Sequence, residues 1–298
     1  MDKRVKNAGG ILCVMASAVI FGFTPVLAAL SYQGGNNGVT MAFLRALLPL
    51  PLLYLLARGS LARTRPTAVQ LRGGALLGLL LFGCTLLLYS SYLFIPVSIA
   101  TTLHFLYPIY VALYETIAGR KRLGAWRTLG LALGLGGVLL FLENSSGALD
   151  LRGVALAGAS GVCYAAYIIV LDRPAASPLP LYPLMLIISV TGVALCGFTG
   201  LALGQLTFAL TSTAWLYAAA VALLVAVVAC VLFQAGVRRI GDANAAIFSL
   251  FEPLTSILFS VLLMGDKLSA SKLVGCALIL LGLISTSIGA NPSRRQAA

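Results

Sequence analysis

Runs of about twenty apolar residues alternate with short polar breaks along the whole chain, and a run of that length crosses a bilayer as a helix. Ten such spans can be placed, at residues 8–30, 37–57, 71–93, 97–118, 126–143, 153–171, 181–204, 213–236, 241–264 and 271–290. Several connections hold only a few residues, so neighbouring spans are expected to be antiparallel hairpins. No stretch is left over for a soluble domain. The pattern predicts an all-α integral membrane protein of ten transmembrane helices.

The pattern also repeats. Ile240–Leu268 and Ile95–Leu123 align at a shift of 145 positions: Ile240 falls on Ile95, Ala245 on Ala100, Pro253 on Pro108 and Leu268 on Leu123, while Tyr107 stands where Glu252 stands. Span one echoes in span six, with Gly10, Ser17 and Phe21 on Gly153, Ser160 and Tyr164. Spans five and ten share Gly130 with Gly275 and Gly137 with Gly282. The halves are therefore residues 1–145 and 146–298, joined near Ser145–Asp150. Each holds five spans, an odd number, so the second must enter the membrane from the opposite side. Two five-helix inverted repeats around a central cavity are the usual build of a secondary transporter, with substrate near the midplane.

Charge fixes the expected orientation. The chain is 60% hydrophobic and only 9% charged, with a net charge of +12, against about 25% charged residues in soluble domains. With the N-terminus inside, inner segments carry 16 Lys and Arg (including Arg63, Arg65, Arg120, Lys121, Arg122, Arg238 and Arg239), while outer segments carry 3, namely Arg152, Lys267 and Lys272. Positive charge collects on the cytoplasmic side, so both termini are expected there, in a bacterial inner membrane. The basic residues are loop signals and anionic-lipid contacts, not a nucleic-acid surface. The six cysteines sit singly inside apolar runs and read as buried small residues, with no metal or disulfide spacing. The first span is too long for a signal-peptide core. The glycines of spans five and ten suit close helix packing, either within the chain or across a homodimer, so a monomer and a homodimer both stay open.

Polar groups at membrane depth are the candidate site. Glu252 lies about eleven residues into span nine, ~16 Å deep. A carboxylate there costs at least ~2.5 kcal/mol on insertion scales. It is either a protonated structural group or a substrate and proton site. Arg45 is ~12 Å from the outer end of span two. It either snorkels or pairs structurally, or it binds a substrate carboxylate or phosphate. Pro49 and Pro51 predict a kink after it. His104, the only histidine, lies one turn before Pro108 and either relays protons, bonds substrate, or packs. Tyr107 is its neighbour in span four. Phe21 and Thr24 in span one, Tyr164 and Tyr167 in span six, and Tyr89 with Tyr92 at the end of span three complete an aromatic set, although the last two also fit an interfacial belt. Asn244 and Phe248 share a helical face with Glu252. Together these imply an aromatic-rich cavity for flat or cationic groups. No phosphate-binding glycine loop, GxSxG or HExxH occurs, so neither an ATP-driven pump nor a hydrolase is indicated, and no cofactor or metal is implied.

Ten spans in two copies, FLRALL in span two, mid-span prolines in spans four and nine, and glycine-rich spans five and ten resemble the EamA-type members of the drug/metabolite transporter superfamily. The copies end at Gly119-Arg120-Lys121-Arg122-Leu123 and Gly265-Asp266-Lys267-Leu268, where that family often has Gly-Glu-Arg-Leu, so the acid survives in the second copy alone. The resemblance implies export or exchange of a small metabolite, such as an amino acid, amine or drug, by alternating access, with no cofactor. Rival readings are a membrane-embedded enzyme with Glu252 and His104 as acid and base, and a non-transporting channel or scaffold.

Overall fold

In the computed structural model, residues 3–63, 66–118, 124–143, 150–171, 179–240, 248, 251–265 and 270–290 are described, and among them every regular element is helical. Span one is α1 (Lys3–Tyr32). Span two is built from α2 (Gly38–Leu47) and α3 (Leu50–Arg63), and span three is α4 (Ala68–Ser91). Span four also has two pieces, α5 (Val97–His104) and α6 (Tyr107–Ile117). Spans five to seven are α7 (Ala125–Glu143), α8 (Leu151–Leu171) and α9 (Leu181–Ala202). Span eight runs through α10 (Ser212–Leu223), a π-helical stretch (Leu224–Ala229) and α11 (Cys230–Ile240). In span nine α12 covers Phe251–Met264, and span ten is α13 (Ala270–Ala290).

Six of these stretches are long and apolar enough to cross a membrane unaided: Ala8–Tyr32, Gly38–Arg63, Ala68–Ser91, Leu151–Leu171, Leu181–Ala202 and Ser212–Phe233. Shorter apolar helices lie at Val97–Val111, Leu254–Met264 and Leu273–Gly282. Large apolar side chains such as Leu12, Phe198 and Leu216 stand exposed, as they would in hydrocarbon. The chain is an all-α membrane protein with the ten-span architecture. Each of the six cysteines is a free thiol.

The prolines set the breaks. Pro49 and Pro51 each remove a backbone donor, and α2 gives way to α3 there. In α1 the helix instead runs through Pro25. A proline leaves the carbonyl four residues back without its donor, here Phe21 O. Thr24 Oγ1 donates to that carbonyl at 2.9 Å, so the ladder is repaired locally.

The helices gather into two compact units. One comprises Met1–Val26, Pro96–Leu151 and Val228–Ala298, the other Leu27–Ile95 and Arg152–Val227. Each takes spans from both halves of the sequence. In the first, α7 and α13 meet glycine to glycine. A Cβ added at Gly137 would lie 2.6 Å from Gly275 O, and one at Gly282 would lie 2.7 Å from Gly130 O. These glycines therefore serve packing inside the chain. In the second unit α4 rests on α9, with Gly78 so close that a Cβ would lie 3.0 Å from Ile188 O.

In the second unit the connections after α1 and α9 are hydrogen-bonded to each other. Asn37 caps α2 by accepting from Thr40 N at 2.9 Å, and its Nδ2 donates to Gln205 O at 2.7 Å. Thr40 Oγ1 donates to Gln205 O and accepts from Thr207 N, both at 3.1 Å. Thr211 N donates to Gly34 O at 3.0 Å. The connections after α1 and α9 are thereby tied into one polar end.

Candidate functional site

In the first unit the site grows out of the break in span four. α5 ends at His104, and α6 begins at Tyr107 with Pro108 in its first turn. His104 is 8% exposed. Its ring lies 5.7 Å from that of Phe105 and 6.0 Å from that of Tyr107, centroid to centroid. Tyr107 is half-buried, and the Glu252 carboxyl is close enough for its charge to act on the Tyr107 hydroxyl. An imidazole and a phenol thus flank a helix interruption, with the Glu252 carboxyl as an electrostatic neighbour of the phenol. Breaks of this kind at membrane depth are where transporters hold substrates and ions.

Glu252 opens α12, and α1 sets its position. Gly22 faces the first turn of α12, where an added Cβ would overlap Thr255 Oγ1 and the Glu252 carbonyl and lie 2.9 Å from Ser256 N. Phe23 and Phe259 continue the contact with ring centroids 4.7 Å apart. Ser256 Oγ then donates to Thr101 Oγ1 on α5 at 3.1 Å. A single methyl group at position 22 must push two backbones apart, because the Thr255 hydroxyl can turn away but the Glu252 carbonyl and Ser256 N cannot. Gly22→Ala is expected to lower stability by about 1–3 kcal/mol, the usual cost of overpacking. A drop in melting temperature of the purified protein checks this, and an unchanged value would mean that α1 and α12 yield easily.

In the second unit the site is built on Arg45. Its Nη1 donates to Thr85 Oγ1 and to Tyr89 Oη, both at 3.2 Å, and its guanidinium carbon lies 5.7 Å from the Tyr89 ring centroid. Thr85 and Tyr89 are one turn apart on α4, so a single helix face supplies both acceptors. Tyr89 is 2% exposed, and Tyr32 Oη donates to its carbonyl at 2.8 Å. It is a core residue and not part of an interfacial belt. Tyr92 follows with its ring 5.7 Å from that of Tyr89. On α8, Tyr164 and Tyr167 stack at 5.6 Å with planes 23° apart.

The sequence candidates thus fall into separate clusters. His104, Tyr107 and Glu252 come together, and so do Arg45 and Tyr89. Tyr164 and Tyr167 pair with each other. Thr24 is buried and gives its hydroxyl to the Phe21 carbonyl, which is the backbone repair at Pro25. Phe21 is half-buried on the same turn. Phe248 is helical and half-buried, while Asn244 lies outside the described residues. Thr85 and Gly22 were not singled out from the sequence. The i, i+4 pairing of Thr85 with Tyr89 was the available signal for the first. No group of three metal-ligating side chains occurs among the described residues.

Comparison with known proteins gives consistent results. A model of the EamA-like transporter family matches residues 8–143 and again residues 151–288. Over 200 residues the chain is 28% identical to an uncharacterized transporter of Synechocystis sp., covering 56% of this chain and 59% of that protein. Over 187 residues it is 28% identical to the uncharacterized transporter YwfM of Bacillus subtilis, covering 62% and 61%. The match thus spans about three fifths of the length of these curated relatives. A solved crystal structure superposes with a TM-score of 0.64 at 19% identity, over 94% of this chain and 98% of the other, a likeness of fold alone.

Proposed function

The chain belongs to the EamA-like transporter family, and from that premise we propose that it is a secondary active transporter working by alternating access. Its cargo is a small polar or aromatic metabolite, such as an amino acid, an amine or a drug-like molecule. It acts as an exporter or exchanger in the bacterial inner membrane, with both termini in the cytoplasm and protons as the coupling ion. The observation that carries this reading is the broken span four, with His104 and Tyr107 flanking the interruption and their rings 6.0 Å apart. Glu252, Tyr107 and His104 would handle the proton and the polar part of the substrate. Arg45, Tyr89, Tyr164, Tyr167, Phe21, Thr24, Phe248 and Asn244 would complete the set that meets substrate during the cycle.

A thermal-shift screen of purified protein against a metabolite library tests this. A ligand of the folded state stabilises it by about 2.7 kcal/mol at a concentration a hundred times its Kd. The expected hit also exchanges saturably in proteoliposomes, with internal substrate accelerating uptake. Flux that rises linearly with concentration and ignores internal substrate would instead describe a channel.

A further inference from the structure

Arg45 carries a charge that no carboxylate among the described residues of its own unit neutralises. Within Leu27–Ile95 and Arg152–Val227 the sequence holds a single acid, Asp172, beside Arg173 in the connection after α8. Both recorded acceptors for Arg45, Thr85 Oγ1 and Tyr89 Oη, are neutral hydroxyls. Both bonds use Nη1, which leaves Nε and Nη2 without an acceptor among the described residues. These two nitrogens are not sealed off, because Tyr92 Oη is the buried side-chain polar atom left without a partner among the described residues. Nε and Nη2 form the side-on edge of the guanidinium, whose parallel N–H bonds match two oxygens of a carboxylate or phosphate.

Tyr92 supplies the second half. Its ring packs 5.7 Å from Tyr89, the same residue that anchors Arg45, and its hydroxyl is buried with a proton to donate and no acceptor. An unsatisfied hydroxyl and an unneutralised cation in one aromatic cluster ask for the same occupant. An oxyanion accepts from both. A snorkelling arginine would reach for water, yet this one is half-buried and held by two groups of α4.

We propose that Arg45 and Tyr92 form an oxyanion subsite, so that the transported molecule carries a carboxylate or phosphate group. The subsite rests on the transporter reading only in making the anion part of the cargo. Its test uses the full-length protein in nanodiscs with four probes of similar shape: benzoate, phenyl phosphate, benzyl alcohol and benzylamine. Benzoate or phenyl phosphate is expected to raise the melting temperature with concentration, while the alcohol and the amine leave it unchanged. Arg45→Gln abolishes the response, and Arg45→Lys, which keeps the charge but not the fork, recovers little of it. Tyr92→Phe weakens anion binding by about tenfold or more, the loss of one hydrogen bond to a charged group.

Equal stabilisation by all four probes, stabilisation by none, or a response that survives Arg45→Gln would overturn the subsite. Should Arg45→Gln fail to fold, Tyr92→Phe decides, and an unchanged benzoate affinity rejects the proposal. A melting temperature that rises with phosphatidylglycerol in place of phosphatidylcholine in the wild type but not in Arg45→Lys would assign the anion to a lipid headgroup, which also rejects it. Counterflow separates the two claims. Saturable exchange that ignores substrate charge sinks the subsite and leaves the carrier, whereas benzoate binding without exchange does the reverse.

Discussion

Glu252→Gln is expected to uncouple transport from the proton gradient while the protein still folds. The substitution keeps the shape and hydrogen-bonding reach of the side chain and removes its titration. Glu252 sits in the first turn of α12, half-buried, and its charge acts on the Tyr107 hydroxyl beside the span-four break. A carboxyl kept in a membrane span against an insertion cost of at least ~2.5 kcal/mol is a functional candidate by default. One pH unit across the membrane supplies about 1.4 kcal/mol per proton, or about a tenfold gradient of substrate. Wild-type proteoliposomes should reach accumulation of that order. Glu252→Gln should fall to no net accumulation, while passive exchange persists. The sign follows from the chemistry: acid on the side that loads the proton drives the wild type, and the variant is flat with pH. An accumulation ratio equal to wild type would leave Glu252 as a purely structural group.

The second large effect is expected from the glycine seam of α7 and α13. Gly282→Leu puts a branched side chain where even a Cβ lies 2.7 Å from Gly130 O and 3.1 Å from Gly134 N. These obstacles are backbone atoms, which no rotamer change removes. In lipid, close packing of small residues is itself a principal source of helix association, so forcing the helices apart forfeits contact along both. The expected loss is about 3 kcal/mol or more, at the upper end of overpacking costs. Detergent-solubilised Gly282→Leu should melt well below wild type or aggregate. Gly136→Leu, at a position with open space around an added Cβ, is the matched control and should be near neutral. Equal melting temperatures for the two would show that the seam is soft.

Much of this architecture is written in hydrophobic runs. Because lipid demands about twenty apolar residues per crossing, spans one to three and six to eight could be placed from hydropathy alone. Prolines then marked the breaks: Pro49 and Pro51 predict the change from α2 to α3, and Pro108 the restart at Tyr107. The glycine spacing in spans five and ten predicted close packing, but nothing in it said whether the partner helix was internal. The structure pairs the two spans with each other. What hydropathy hides is the partner of each buried polar atom. Arg45 bonds to Thr85 forty residues away, and a threonine in a leucine-rich helix looks like many others. Gly22 is equally silent, since its role depends on the backbone of α12 more than 200 positions downstream. The compact units also cut across the sequence copies, because a repeat in sequence records similarity while packing depends on which spans touch.

The π-helical stretch of span eight has one more consequence. Leu224–Ala229 is entirely apolar, LVAVVA, and Ala229 O accepts from Ser17 Oγ at 2.9 Å. A wide turn absorbs a surplus residue, and each residue rotates the helix by about 100°. Removing one amino acid here would be taken up as ordinary α-helix, whereas adding one meets no further slack and would swing Gly236, which now rests on α1 with an added Cβ only 3.0 Å from Gly10 O, away from its seat. The length of this segment is therefore as much a specification of the protein as any of its side chains.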